Sequence, residues 1–97
     1  MTISKDRNGS ELTIALEGRL DTTTAPELAE EIKSLDGVEK LKFDIEKLEY
    51  ISSAGLRVLL SAQKVMNKQG SMVVKNASES IKEIFEVTGF DGILTVE

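Results

Sequence analysis

The sequence predicts an α/β protein with a mixed sheet of four to five strands and covering helices. An Asn8-Gly9 dipeptide between two alternating segments predicts a β-hairpin, and so an antiparallel first pair of strands. Farther along the chain, strands alternate with helices, an order that makes neighbouring strands parallel. A length of 97 residues suits one domain with a core of its own, so we expect residues 1–97 to form a single domain.

The first two strands are predicted to be Thr2–Arg7 and Glu11–Glu17. Apolar residues occupy alternate positions of the second segment, which is typical of a strand with one buried face. Gly18–Thr23 is rich in short polar side chains and is predicted to be a loop.

A capping box predicts where the first helix begins. In Thr24-Ala25-Pro26-Glu27, the Thr24 hydroxyl would accept a hydrogen bond from the first turn, and Glu27 would reach back to the cap. Because Pro26 disfavours a helical residue before it, the helix is predicted to start at Ala25 or one residue later. It is predicted to end at Asp36-Gly37, with an inner stripe of Leu28, Ile32 and Leu35.

A third strand and a second helix follow. The strand is predicted from the alternation of Leu41, Phe43 and Ile45 with charged residues. After Ser52-Ser53-Ala54-Gly55, the helix is predicted to run to about Lys68. Most of its circumference is apolar, so we expect it to be central and largely covered. Its polar side chains form one narrow line of Arg57, Ser61, Lys64 and Lys68.

The last third of the chain predicts a short strand and a third helix. Met72–Val74 is the fourth strand, and Ser78 is a candidate N-cap of a helix whose core positions are Ile81, Ile84 and Phe85. Gly89 stands where a left-handed C-cap belongs, with Phe90 packing back across it. Ile93–Val96 is a candidate fifth strand.

The composition excludes several classes of function. The chain has no Cys and no His, which excludes thiol and imidazole chemistry and thiolate zinc sites. A net charge of −5 and 4% aromatic content disfavour nucleic acids and anionic membranes and favour a protein or small-molecule partner. We expect no cofactor and no metal. No signal-peptide pattern or membrane-length apolar run is visible, so the predicted compartment is the cytoplasm.

The segment Ser52–Gly55 is the most informative candidate site. It joins a buried strand to the N-terminus of the second helix, at the carboxyl edge where α/β sheets hold their sites. A serine here is most often a helix N-cap, worth about 1 kcal/mol. Alternatively, one hydroxyl is an exposed phosphoacceptor, whose phosphate would meet free N–H groups and the positive end of the helix dipole. The two interpretations do not exclude each other.

A serine hydrolase is the rival enzymatic interpretation. Ser53-Ala54-Gly55 matches the end of a nucleophile elbow. However, Ile51 stands where the elbow motif has its first glycine, and the chain has no histidine to act as the base. The hydrolase interpretation is therefore disfavoured.

Charged side chains supply weaker candidates. The acidic pairs Asp44/Glu46 and Glu30-Glu31 are most simply interpreted as solvent-exposed surface residues without a binding role. Arg57 lies one turn after Ser53 and is placed to meet a phosphate or an acidic partner. Asp21 is the candidate polar contact in the loop before the first helix.

Two motifs together resemble the STAS-domain family, in particular the bacterial anti-sigma factor antagonists. They are Gly18-Arg19-Leu20-Asp21 before the first helix and Ser52-Ser53-Ala54-Gly55-Leu56 at the start of the second. Thr88-Gly89-Phe90 after the third helix is also similar. The resemblance covers essentially the whole chain, including the order of its elements, and implies a STAS-like fold.

The resemblance implies a non-enzymatic phosphorylation switch. In that family the serine two residues before the glycine is phosphorylated, which corresponds to Ser53. The unphosphorylated form binds an anti-sigma factor, itself a serine kinase that uses ATP and Mg²⁺, and thereby frees a sigma factor. Phosphorylation breaks this complex and a serine phosphatase restores it. The resemblance places partner binding at Asp21, Thr24, Ser53, Ala54, Gly55 and Leu56. Their neighbours Ser52 and Arg57 complete the predicted partner-binding residues.

One position departs from the family pattern. The family commonly has Asp directly before the phosphorylated serine, whereas this chain has Ser52. The second hydroxyl leaves Ser52 open as the acceptor, and the lost charge leaves open a domain that binds without phosphorylation. The alternative role is therefore a STAS-like accessory domain of a transport or ligand-binding system.

Overall fold

The computed structural model describes residues 1–97 and contains one mixed four-stranded sheet. The strands are β1 (Thr2–Asn8), β2 (Glu11–Leu20), β3 (Lys40–Ile51) and β4 (Ser71–Lys75), and their spatial order is the same as their order in the chain. β1 is antiparallel to β2, whereas β2, β3 and β4 are mutually parallel. The predicted fold class is therefore confirmed.

Three α-helices alternate with the parallel strands, one after each of β2, β3 and β4. They are α1 (Ala25–Glu31), α2 (Ser53–Gln69) and α3 (Glu79–Thr88), and short 3₁₀ turns occupy Ile32–Ser34 and Phe90–Gly92. α3 is bounded as predicted: the Ser78 hydroxyl accepts from the Ile81 N–H at 3.3 Å, and Gly89 ends the helix at a φ of 78°. No helix combines the length and apolar character that crossing a membrane would demand.

The core lies between one face of the sheet and the helices. Alternate residues of β2 and β3 are buried, and a single cluster of 22 buried apolar side chains joins them to the helices. The opposite face of the sheet stays open to solvent and carries charged residues such as Glu11 and Lys42, which form an ion pair at 3.0 Å. At the end of α2, a Cβ on Gly70 would lie 1.9 Å from the Glu39 carbonyl oxygen, so only glycine fits this close approach.

The prediction of a loop over Gly18–Thr23 was wrong for its first three residues. Gly18, Arg19 and Leu20 belong to β2 and pair with β3 across two irregularities of register. Gly18 adopts a φ of 102°, which accommodates the irregularity, and Leu20 is fully buried. The hydrogen-bond partner that extends β2 is a strand 30 residues away in sequence, which local pattern does not reveal.

The capping box at α1 was also wrong. The Thr24 hydroxyl makes no cap hydrogen bond; it accepts from the Asp21 N–H and donates to the Arg19 carbonyl, both at 2.8 Å. This hydroxyl therefore closes the loop between β2 and α1 instead of capping the helix. α1 begins at Ala25 but ends at Glu31, because its last turn tightens into the 3₁₀ turn before the chain reaches Gly37.

Two further expectations hold only in part. Ile93–Val96 does not form a fifth strand: only Val96 bridges β4, opposite Val74, because the preceding turn leaves few residues to run beside the sheet. α2 begins and ends close to the predicted positions, but it is less covered than expected. Its inner face is buried, whereas Val65 is 38% exposed because no element packs over the outer side of the helix.

Candidate functional site

The carboxyl ends of β2 and β3 form the base of the candidate site. Leu20 and Ile51 are partners in the sheet register, and the Ser52 N–H donates to the Leu20 carbonyl at 2.9 Å. This hydrogen bond holds the β2–α1 loop against the start of α2. β4 ends opposite Asp44, so β2 and β3 extend beyond it and present both junctions at one end of the molecule.

Ser52 is the N-cap of α2. Its backbone is extended, with φ −96° and ψ 174°, and its hydroxyl oxygen accepts from the Gly55 N–H at 3.3 Å. Its carbonyl accepts the first helical hydrogen bond, from the Leu56 N–H at 2.9 Å. The half-buried Ser52 side chain is thus committed to satisfying a donor that the helix end would otherwise leave unpaired.

Ser53 is the first helical residue and has a different environment. Its side chain is exposed, and its hydroxyl makes no hydrogen bond to the rest of the chain. It lies at the N-terminus of a 17-residue helix, where the backbone dipoles favour negative charge. An anionic group on this hydroxyl would therefore find a favourable field and no steric obstruction from its own helix.

The next two predicted contact residues face inward. Gly55 and Leu56 are buried, and Ala54 is half-buried against the core. A Cβ at Gly55 would lie 2.6 Å from Leu20 Cγ and 3.0 Å from Ile51 Cγ1. Glycine at this position lets α2 pack closely on the two strands below it, so Gly55 and Leu56 position the exposed serine from underneath.

Asp21 organises the adjoining loop. Its Oδ1 accepts from the Thr23 hydroxyl at 2.7 Å and from the backbone N–H groups of Thr23 and Thr24 at 3.0 and 3.2 Å. The Thr23 hydroxyl bond is the main reason that the pKa of Asp21 lies below its ordinary value, and the backbone donors add to the effect against an opposing desolvation. Asp21 is an ionised, partly exposed carboxylate beside the start of α2.

A stacked pair beside the site was not predicted from the sequence. The Arg19 guanidinium lies over the Tyr50 ring, 4.4 Å from its centroid, and Arg19 Nε lies 3.7 Å from Asp21 Oδ2. Arg19 and Tyr50 face each other across β2 and β3. Because Arg19 was predicted to lie in a loop, its strand partner was not identifiable; only the register places the two together.

The other candidates lie elsewhere. Arg57 is exposed on α2 one turn beyond Ser53. Asp44 accepts from Asn76 Nδ2 at 3.1 Å near the end of β4, while Glu30 and Glu31 pair with Lys33 and Lys5 near α1. Nowhere do three or more side chains of metal-binding types converge. The structure therefore brings together Asp21, Thr24, Ser52 and Ser53 and separates them from the acidic pairs.

Comparison with known protein families gives one domain match. The model described as "Mlab, STAS domain" matches residues 3–95, which is nearly the whole chain.

Two relatives match this chain over most of their own length. A protein of Bordetella bronchiseptica named as a candidate anti-sigma factor antagonist, BtrV, is 33% identical over 99 residues, covering 99% of this chain and 85% of the relative. The anti-sigma-B factor antagonist of Bacillus subtilis is 30% identical over 101 residues, covering 99% of this chain and 92% of the relative.

Solved structures share the fold at lower identity. An anti-sigma factor antagonist from Mycobacterium paratuberculosis superposes with a TM-score of 0.88 at 22% identity, covering 98% of this chain and 83% of that one. The Bacillus cell fate determinant SpoIIAA in its phosphorylated form gives a TM-score of 0.77 at 17% identity, covering 99% of this chain and 91% of that one.

Proposed function

Because the chain belongs to the STAS-domain family, with anti-sigma factor antagonists among its relatives, we propose that it is an anti-sigma factor antagonist switched by phosphorylation of Ser53. In this proposal the unphosphorylated protein binds an anti-sigma factor that is also a serine kinase, and a sigma factor is released. Phosphorylation ends the binding and a serine phosphatase restores it.

The observation that carries the proposal is the different use of two adjacent hydroxyls. The Ser52 hydroxyl is engaged by the Gly55 N–H, whereas the Ser53 hydroxyl is exposed and unbonded. A kinase can take Ser53 into its active site without breaking any hydrogen bond of the fold. Modification of Ser52 would instead require its half-buried hydroxyl to leave the Gly55 N–H and enter the active site of the kinase.

Electrostatics explains how one modification can spare the fold and abolish binding. A phosphate adds about 1.5 to 2 negative charges at neutral pH. At the start of α2 this charge is favoured by the helix dipole, by about 0.3–1 kcal/mol. Against a packed partner surface, the same group adds bulk and must be desolvated. The proposed switch therefore needs no refolding of the domain.

The proposed docking surface consists of exposed or half-exposed groups around Ser53. Asp21 and Thr24 contribute from the neighbouring loop, and Ser52, Ala54 and Arg57 contribute from α2 and its cap. Asp21 offers a carboxylate that is already held in place by three donors, so little side-chain entropy is lost when a partner cation binds it. Gly55 and Leu56 support this surface from below.

Site-resolved phosphorylation tests the assignment. The protein and its Ser53→Ala, Ser52→Ala and Ser61→Ala variants are incubated with the cognate kinase and ATP–Mg²⁺, and phosphate is located by mass spectrometry. We expect phosphate in all but Ser53→Ala. Ser61 is an exposed serine of the same helix and serves as the matched control. Phosphate found only on Ser52 would refute the assignment.

Binding measurements test the switch and separate it from the alternative role. Ser53→Ala should bind the kinase as the wild type does, whereas Ser53→Asp should bind about tenfold more weakly or worse, because a charge is buried in the interface. Binding that is insensitive to both ATP and Ser53→Asp would instead favour an accessory domain of a transport or ligand-binding system.

A further inference from the structure

The exposed line of α2 begins at Ser53. Its members are Ser53, Arg57, Ser61, Lys64 and Lys68, all of them exposed and separated by three or four residues. At a rise of 1.5 Å per residue the line is about 22 Å long. Its three cations, Arg57, Lys64 and Lys68, are called the basic stripe below.

No carboxylate of the protein forms an ion pair with the basic stripe. All 17 acidic residues lie outside α2. The ion pairs of the structure use Lys5, Arg19, Lys33, Lys42 and Lys75, and none involves the stripe. A solvated helix commonly alternates acids and bases at i,i+4, which is worth about 0.2–0.5 kcal/mol per pair. α2 instead places Lys64 and Lys68 at that spacing, where like charges repel.

The basic stripe is continuous with the proposed phosphorylation site at Ser53. A partner that covers Ser53 also approaches the first turn of the stripe, because Arg57 lies one helical turn away on the same face. An acidic facing surface would be attracted along the whole line, whereas a basic one would be repelled. A nucleic acid is disfavoured because its negative charge continues beyond the three cations and is repelled by a chain whose net charge is −5, whereas a protein can confine its acidic residues to the part that faces the stripe.

We propose that the basic stripe is the second half of the docking surface and binds an acidic face of the anti-sigma partner; this inference rests on the function proposed above. The stripe carries a charge of +3. A phosphate on Ser53 brings about −1.5 to −2 next to Arg57, which offsets half to two-thirds of the stripe's charge. The same modification that adds bulk at Ser53 thereby weakens the electrostatic attraction at the start of α2, within about a Debye length of 8–10 Å.

Paired charge reversals test the stripe away from Ser53. The affinity of unphosphorylated Lys64→Glu/Lys68→Glu for the kinase is measured by titration calorimetry at low and high salt. Lys40→Glu/Lys47→Glu is the matched control, because both lysines are exposed on β3, lie off α2 and form no ion pair. We expect the stripe variant to bind about tenfold more weakly or worse and the control less than about twofold, with the difference shrinking at high salt.

Folding and the neutral variant complete the test. Far-UV circular dichroism and the melting temperature establish that each variant folds, and Lys64→Gln/Lys68→Gln should show an intermediate loss of affinity. Equal losses in the stripe and control variants, or no loss in the stripe variant, would overturn the proposal while leaving Ser53 phosphorylation standing. The proposal would also be overturned if the stripe variant kept its affinity for the kinase but alone lost affinity for duplex DNA or lost self-association. Absence of any kinase binding by the wild type would overturn both proposals.

Discussion

At the residue scale, neighbouring side chains of the same type have different roles because the backbone turns between them. Ser52 is extended and directs its hydroxyl at the Gly55 N–H, whereas Ser53 is already helical and points its hydroxyl to solvent. Thr23 and Thr24 divide in a similar way. The hydroxyl of Thr23 serves the Asp21 carboxylate, and that of Thr24 mainly bridges the backbone of the loop.

The Asp21 network makes a pH-dependent contribution to stability. The pKa of Asp21 in the folded protein lies below the ordinary value of 3.8, chiefly because the Thr23 hydroxyl donates to the carboxylate. A depressed folded pKa means that the contribution is present above pH 3.8 and is lost as the pH falls through the folded pKa. We expect Asp21→Asn to be less stable than the wild type at pH 7, with the difference closing in acid.

Carboxyl titration by NMR checks the cause. Thr23→Ala should raise the pKa of Asp21 toward 3.8, since the main stabilising donor is removed. An unchanged pKa in this variant, or a stability difference for Asp21→Asn that persists at low pH, would contradict the assignment.

At the element scale, α2 both packs the core and presents the site. Its inner face buries Leu59, Ala62 and Met66, and its N-terminus is pinned to β2 through Gly55 and the Ser52–Leu20 hydrogen bond. Gln63 is the polar exception on the inner face. Its Nε2 donates to Asn67 Oδ1 at 2.8 Å, but its Oε1 is buried without a partner. The outer face, by contrast, carries the exposed polar line, with Val65 and Asn67 also exposed beside it.

Gly55→Ala tests how tightly α2 is seated on the strands. The new methyl would lie 2.6 Å from Leu20 Cγ, and Leu20 is fully buried and cannot move aside. Overpacking of this kind costs about 1–3 kcal/mol, against about 1 kcal/mol gained from the better helix propensity of alanine. We expect a net loss of stability in urea denaturation.

Gly92→Ala is the matched control for that substitution. No atom lies within 4 Å of a Cβ at Gly92, and its φ is not in the left-handed region, so the change should stay within about 0.5 kcal/mol. A Gly55→Ala protein as stable as Gly92→Ala would show that α2 shifts freely on the sheet.

At the scale of the whole molecule, the site lies on an extension of the sheet that nevertheless shares its core. β2 and β3 run on past the end of β4, yet Leu20, Leu48 and Ile51 belong to the same cluster as the residues beneath β4. The Cα radius of gyration is 12.1 Å, close to the roughly 12.5 Å expected for a compact chain of this length. We therefore expect the extension to unfold together with the rest of the sheet.

Urea unfolding followed by tyrosine fluorescence and by circular dichroism tests whether the extension and the helices unfold together. Tyr50 is the only tyrosine, the chain has no tryptophan, and Tyr50 lies near the end of β3, so its fluorescence reports on the extension. We expect its transition in urea to coincide with that of the helices measured by circular dichroism, as for a two-state domain. A tyrosine transition at clearly lower urea would show that the extension unfolds on its own.

Elements whose signals are local could be predicted from the amino-acid sequence. The hairpin turn, α2 from its serine cap to Gln69 and α3 between Ser78 and Gly89 all depend on periodicity, capping and turn residues within a few positions of one another. The proposed acceptor was also placed at the start of α2 by its motif. Such features are readable because the interactions that stabilise them are close in the chain.

Which groups meet at the site, and which of them remain free, depends on contacts made when the strands pair and could not be predicted from local patterns. The last residues of β2 are strand because β3 supplies their hydrogen bonds, and Thr24 leaves its expected cap because the loop carbonyl and N–H groups lie nearer to its hydroxyl. Ser53 is free because the Ser52 N–H is tied to Leu20, which sets the direction of the chain as it enters the helix. The β2–β3 pairing and the Ser52–Leu20 hydrogen bond join segments some 30 residues apart, and the free energy that selects them comes from packing and hydrogen bonds between strands. The contacts of Thr24 with Asp21 and Arg19 are local, but they form where β2 ends, and that end is set by the pairing with β3.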